Sequence, residues 1–275
     1  MGQFLFLLIL SMATVSFGVE YKLEYAFDHI NFEWQSQKQM EDAIRSGDYN
    51  ISRCFLYDVD QANDGTTYVT IPRELGPGAP ATLAKITDQT GPGGPLLLPF
   101  PNWDWHSSTK IVNAHSIKVN IMIICNHIFI LDTGRIGPKE ISTPKLLVFD
   151  LKTNSTSINY KELVYFIFFG WQIATNGTSA GSLISPVVYI PGQSVSGCSR
   201  FNERIVFIAD REGSGLVIYN QATKSTCRIE SKYMKPTHNN FIIKGQSFIY
   251  KAGINSMTII GDGKYSYFNK KSIVL

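Results

Sequence analysis

The chain is short of charge. Only 17% of its 275 residues are Asp, Glu, Lys or Arg, and the formal net charge is +3. No cluster of Lys and Arg is dense enough to track a phosphate backbone, which excludes a nucleic-acid surface. The basic residues read as scattered, solvated side chains. Histidine is scarce as well. His29, His106, His115, His127 and His238 show no H-x-x-x-H or H-E-x-x-H spacing, and the four cysteines include no C-x-x-C pair. Neither pattern points to a metal site, and nothing in the sequence requires a cofactor. The G-x-S-x-G elbow of a serine hydrolase is missing too.

Long apolar runs are also lacking. Leu163–Trp171 (L-V-Y-F-I-F-F-G-W) is the most apolar internal segment. It falls well short of the roughly 20 residues that cross a bilayer. It reads as a buried strand. Phe4–Leu10 is uninterrupted but shorter still, and no Lys or Arg precedes it. Small residues follow, with Ser16 and Gly18 placed as the −3 and −1 positions of a cleavage site. Residues 1–18 are therefore expected to be a secretory signal peptide, and Val19 the first mature residue. Sequons at Asn50, Asn154 and Asn176 fit a glycosylated, extracellular product. Cys54, Cys125, Cys198 and Cys227 would then allow up to two disulfides, in three connectivities.

What the chain does have is 44% hydrophobic residues, arranged in a repeat. Thr66–Arg73 (T-T-Y-V-T-I-P-R), His127–Arg135 (H-I-F-I-L-D-T-G-R) and Arg204–Gly213 (R-I-V-F-I-A-D-R-E-G) are apolar runs ending at a turn residue or charge. Each is preceded by another apolar run: Phe55–Asp60, Ser116–Ile124 and Leu183–Ile190. Each is followed by a third: Ala81–Ile86, Pro144–Leu151 and Gly215–Asn220. Fourth strands are expected at Leu96–Phe100, Thr156–Glu162 and Thr226–Lys232, and a fourth unit begins at Gly253–Ile260 and Lys264–Phe268. Such recurrence marks an all-β, propeller-like array in which each unit needs neighbours to cover its faces. Turn clusters at Gly76–Pro80 and Gly91–Pro95, and hairpin dipeptides at Asn63–Gly65 and Gly261–Gly263, punctuate the runs. Gln35–Ser46, ending before Gly47, is the one convincing helix, and Lys22–Trp34 could pair as a strand. No change in composition divides residues 19–275, which read as one domain.

Several phrases resemble the insect yellow and major royal jelly protein family. They include Asn31-Phe-Glu-Trp34, Tyr57-Asp-Val-Asp60, Thr67-Tyr-Val-Thr-Ile-Pro-Arg73, Leu98-Pro-Phe-Pro-Asn-Trp103 and Ile128-Phe-Ile-Leu-Asp-Thr-Gly134. Pro144-Lys-Leu-Leu-Val-Phe-Asp150, Phe207-Ile-Ala-Asp210 and Arg228-Ile-Glu-Ser-Lys-Tyr233 continue the match in order. The resemblance implies a secreted six-bladed propeller, of which this chain, C-terminally short, would form about four blades. The array could close on its own, remain incomplete, or be an inactive partial product. The resemblance also implies a disulfide between Cys125 and Cys198, leaving Cys54 and Cys227 free or paired together. A family cysteine near Ser107–Ser108 is missing, and Glu162–Ala180 diverges. For function it implies a binding or structural role in pigmentation, cuticle or secretion biology. The alternatives are dopachrome conversion and the binding of small aromatic amines or catechols.

The residues supply a few candidates for that chemistry, and each has a plainer reading. Dopachrome conversion needs a proton acceptor and donor, and His106 lies between Trp103 and Trp105 in an aromatic loop. Packing of that loop is the plainer reading, and no residue is assigned a catalytic role. An amine needs a carboxylate, and Asp58, Asp60, Asp132 and Asp210 all end strands. Asp at a strand end more commonly caps a turn. His127 lies inside an apolar strand and reads as a core histidine. The ligand-binding residues themselves stay unassigned.

Overall fold

The apolar runs become strands because neighbouring sheets cover their faces, most completely in the middle of the array. In the computed structural model of the chain, residues 22–122, 125–151, 165–168, 182–191, 197–237, 239–249, 253–260 and 265–270 are described. Residues 1–18, expected to be a signal peptide, and Asn154, Asn176 and His238 lie outside them.

The first sheet contains β1 (Val59–Gln61), β2 (Thr67–Thr70), β3 (Leu83–Gly91) and β4 (Gly94–Pro99), paired in that order. The second contains β5 (Ala114–Met122) and β6 (Cys125–Asp132). A small hairpin of β7 (Arg135–Ile136) and β8 (Lys139–Glu140) follows, then β9 (Lys145–Asp150) and β10 (Tyr165–Phe168) complete the sheet. The third is β11 (Leu183–Tyr189), β12 (Ile205–Asp210), β13 (Gly215–Asn220) and β14 (Ser225–Glu230). Two hairpins come last: β15 (Asn240–Ile243) with β16 (Gln246–Ile249), and β17 (Ile254–Ile260) with β18 (Tyr265–Lys270). All these strand pairings are antiparallel. Among the described residues, no strand of the first sheet pairs with the last hairpin.

The expected runs thus fall on strands in all three units. The fourth strand of the second sheet is placed differently: β10 lies within the apolar segment 163–171, whereas 156–162 falls outside the described residues. β15 and β16 escaped the sequence reading because Ile242, Phe248 and Ile249 stay exposed, so no burial pattern marks them.

Alternation with period two explains the packing. Phe129 and Leu131 of β6, with Leu146 and Val148 of β9, pack against Val206, Ile208 and Val217 of the third sheet. Their neighbours Ile128, Ile130, Leu147 and Phe149 face Tyr68, Leu83 and Phe100 of the first. The second sheet is buried on both faces, which is why its strands read as continuous apolar runs. The Arg204 guanidinium is fully buried between the second and third sheets, 4.2 Å over the Phe201 ring. His127 stacks on the same Phe201 ring, at 4.0 Å and 22°.

Before the sheets comes α1 (Gln37–Ser46), capped by the Ser36 hydroxyl on the Gln39 N–H and ended by Gly47 at φ +81°. The segment expected to pair as a strand makes only a parallel bridge, Phe32 to Leu97. Glu33 N donates to Leu97 O at 2.9 Å and Leu97 N to Asn31 O at 3.0 Å, covering the outer edge of β4. A short helix, α2 (Trp103–Ser107), leads into the second sheet.

The innermost strands share a defect. β5 bulges between Ala114 and Ser116, β11 between Ile184 and Pro186, and β17 between Ile254 and Ser256. His115, Ser185 and Asn255 are therefore the extra residues, and the chain repeats the bulge every 70 positions. Bulges re-aim side chains at sheet edges and beside sites.

Candidate functional site

The turns after β2, β6 and β12 and the segments entering β5 and β11 gather at one end of the sheets. Three equivalent residues close the second strands there: Thr70, Asp132 and Asp210, all fully buried. Asp132 accepts from the N–H groups of Val112 (2.8 Å), Asn113 (2.9 Å) and Gly134 (2.8 Å), and pairs with Lys145 Nζ at 2.8 Å. Asp210 accepts from Ser182 N and Gly213 N, both at 2.9 Å, and pairs with Arg228 Nη1 at 2.8 Å. The Thr70 hydroxyl accepts from Asp58 N and donates to His115 O, each at 3.0 Å.

Asp58 and Asp60 work between sheets. Asp58 Oδ2 accepts from Ile117 N at 2.9 Å, and Asp60 Oδ2 from Val119 N at 2.8 Å. Burial raises the Asp58 carboxyl above the usual carboxylate range, against the pull of the Ile117 and Val59 N–H groups. All four strand-end aspartates thus hold backbone amides, the turn-capping reading extended to neighbouring sheets.

His106 is equally committed. It is buried, Thr82 N donates to Nδ1 at 3.4 Å, and Nε2 lies 3.0 Å from Phe100 O. With Nδ1 accepting, the proton sits on Nε2 and the ring is neutral. Burial pushes its pKa down to about 4. Trp105 packs edge-on against Phe149 at 5.2 Å. The aromatic loop is therefore packed, and His106 has no ring nitrogen left for a substrate proton.

The structure brings together a set that the sequence reading did not assign. The His115 ring is fully buried; Nδ1 lies 3.0 Å from Ser116 Oγ, while Nε2 has no hydrogen-bond partner. Glu74 Oε1 stands 3.7 Å from that Nε2, and the Tyr57 ring lies 4.2 Å from the imidazole. Burial, with Arg211 adding its positive charge, pushes the His115 pKa down to about 3. The approach to Glu74 is therefore a contact with a neutral ring and not an ion pair.

Glu74 is 37% exposed and forms one wall of a cavity of about 220 Å³, also lined by Thr133, Arg135, Ser182 and Glu212. Thr133 Oγ1 is a second buried polar atom without a partner. An unmet buried polar atom costs about 1–3 kcal/mol, and native proteins keep such atoms where water, an ion or a ligand meets them. The available signal was the repeated phrase itself, since Glu74 directly follows its first copy and Thr133-Gly-Arg135 ends its second. The meeting of Glu74 with His115 depends on two turns converging, which spacing does not reveal.

The cysteines divide. Cys54 and Cys227 carry free thiols. The Cys54 Sγ–H donates to Gly78 O at 3.1 Å, and burial pushes its pKa up to about 11, which makes it an inert thiol. Cys125 opens β6 and Cys198 lies in the 3-10 segment Gly197–Glu203, but their side chains lie outside the described residues. Asn50 is exposed and accepts from Ser52 N at 3.0 Å. Among the described residues, no group of three or more His, Cys, Asp and Glu is arranged to hold a metal, and no helix is long and apolar enough to cross a membrane.

Repeated four-stranded antiparallel sheets, packed face to face, define a nearly all-β repeat protein consistent with a propeller. Residues 114–272 match the family model for major royal jelly protein, and the chain belongs to the yellow and major royal jelly protein family. It is 33% identical over 245 residues to major royal jelly protein 8 of Apis mellifera, covering 86% of this chain and 55% of that one. Against major royal jelly protein 3 of the same bee it is 32% identical over 245 residues, covering 86% and 41%. Against major royal jelly protein 9 the figures are 30% over 255 residues, 92% and 56%. The chain thus spans about half the length of the curated relatives it matches.

Proposed function

We propose that the chain, after removal of residues 1–18, is a secreted glycoprotein of one propeller-type domain, 19–275. Its glycans would sit on Asn50, Asn154 and Asn176, and a Cys125–Cys198 disulfide would tie neighbouring units. It acts by binding in pigmentation, cuticle or secretion biology and not by catalysis. Its ligand is a small aromatic amine or catechol held at the Glu74 cavity.

One observation carries this reading: an exposed carboxylate, Glu74, beside a buried imidazole nitrogen with no partner, His115 Nε2. The Glu74 carboxylate suits an ammonium, and Thr133 Oγ1, in the lining of the same cavity, suits a ring hydroxyl; His115 and Tyr57 pack beside Glu74 outside the cavity lining. Proton transfer is poorly served by the same groups. Dopachrome tautomerisation needs a base and an acid that exchange protons near neutrality, and His115 is held neutral down to about pH 3. His106 is tied to the backbone at both nitrogens.

Dopachrome decay, followed by its visible absorbance with and without the purified protein, tests the non-catalytic half. The expected result is the buffer rate. A protein-dependent acceleration that scales with concentration and disappears in His115→Gln would replace binding with catalysis.

A further inference from the structure

A second cleft opens on the same end of the molecule, between α1, the turn 77–80 and α2, with a volume of about 420 Å³. We propose that this cleft is a saccharide site, taking a pyranose with all-equatorial substituents against the Trp34–Trp103 pair.

The wall is built before any ligand arrives. The two indoles stack at 5.0 Å with 20° between their planes. Trp34 Nε1 donates to Asn31 Oδ1 at 3.1 Å, and Trp103 Nε1 to Glu33 O at 3.3 Å. Phe32 packs against both rings at 5.9 Å, and Tyr49 against Trp34 at 5.3 Å. Rings fixed this way lose little freedom on binding.

The floor is fully engaged. Arg73 donates to Ala79 O (2.8 Å), Val112 O (2.8 Å) and Pro80 O (3.1 Å), and His106 is tied to the backbone as described. Polar capacity remains at the rim. Gln39 Oε1 accepts from Gln35 N at 2.8 Å, which fixes the amide and leaves its N–H groups to donate. Asp48 and Asp104 are exposed carboxylates lining the same cleft, and Asp48 accepts only the Ser46 hydroxyl among the described residues.

Shape and charge select the ligand class. Cages for organic cations surround the charge with aromatic faces. Here the indoles stack on each other, so no gap between them can enclose a cation, and the ring surface that lines the cleft serves as the platform. The Arg73 guanidinium below also opposes a cation. A platform with carboxylate acceptors and one fixed amide donor suits a neutral ring whose C–H face stacks and whose hydroxyls both donate and accept. An all-equatorial pyranose presents the flattest such face.

Isothermal titration and tryptophan fluorescence with cellotriose and triacetylchitotriose test the site, with choline as the opposing probe. The expected result is saturable binding of at least one trisaccharide at millimolar concentration or below, with a fluorescence change and no response to choline. Asp104→Asn and Gln39→Ala, both surface changes, should each weaken it about tenfold. Trp103→Ala should abolish it; should that variant unfold, the two surface variants decide alone. Absence of trisaccharide binding, binding of choline in its place, or trisaccharide binding untouched by both surface variants overturns the proposal.

Discussion

Ser185 and Asn255 stand 70 residues apart in the chain, and the Ser185 hydroxyl donates to the Asn255 backbone carbonyl at 3.0 Å. One unit earlier, Ser185 N donates to Ser116 Oγ at 3.3 Å. The inner-strand bulges are thus bonded across the interfaces between units. Each bond adds a directional tie to the packing of neighbouring sheets.

Ser185→Ala should lower stability by about 1 kcal/mol, the usual worth of one such bond, with a carbonyl left unmet. Urea unfolding measures it. A midpoint identical to the parent would mean that the bond adds nothing to the interface.

Asp132→Ala should be far worse. It strands the buried Lys145 ammonium, 5% exposed, and leaves the Val112, Asn113 and Gly134 amides without their acceptor. Breaking a buried pair by removing one partner costs about 3–5 kcal/mol. Asp42→Asn, which breaks the exposed Lys38–Asp42 pair on α1, should leave the urea midpoint within error. Comparable losses in the two variants would contradict the ranking.

These aspartates show what was legible in the sequence. An Asp closing an apolar run reads as a turn cap, and Asp132 and Asp210 cap turns. The strands were legible for the same local reason: Ile128–Leu131 is apolar throughout because alternate residues face different neighbouring sheets. What escaped depends on distant segments meeting. Asp58 holding Ile117 and Glu74 facing His115 bring together residues from different units. The β15–β16 hairpin escaped for another reason, since its exposed Ile242 and Ile249 mimic buried residues in composition only.

Acid should destabilise the fold through its buried imidazoles. His106 and His115 have folded pKa values of about 4 and about 3, against 6.5 for a free ring, so the unfolded chain binds more protons between those limits. Their stabilising contribution is whole above 6.5 and is lost as pH falls toward 4 and then 3. Asp58, with its raised carboxyl, acts in the opposite sense. The urea midpoint should therefore fall between about pH 7 and pH 5, and fall less in His115→Gln. An unchanged midpoint across that window would show that neither ring is buried neutral.

Calorimetric titration of dopamine and serotonin into the purified chain, beside its Glu74→Gln variant, addresses the central claim directly. The predicted result is saturable micromolar binding of at least one amine by the parent. The variant, keeping its fold but losing the carboxylate charge, should bind about tenfold or more weakly. An absence of heat for both amines, or equal binding by parent and variant, would contradict an amine site at Glu74 and His115.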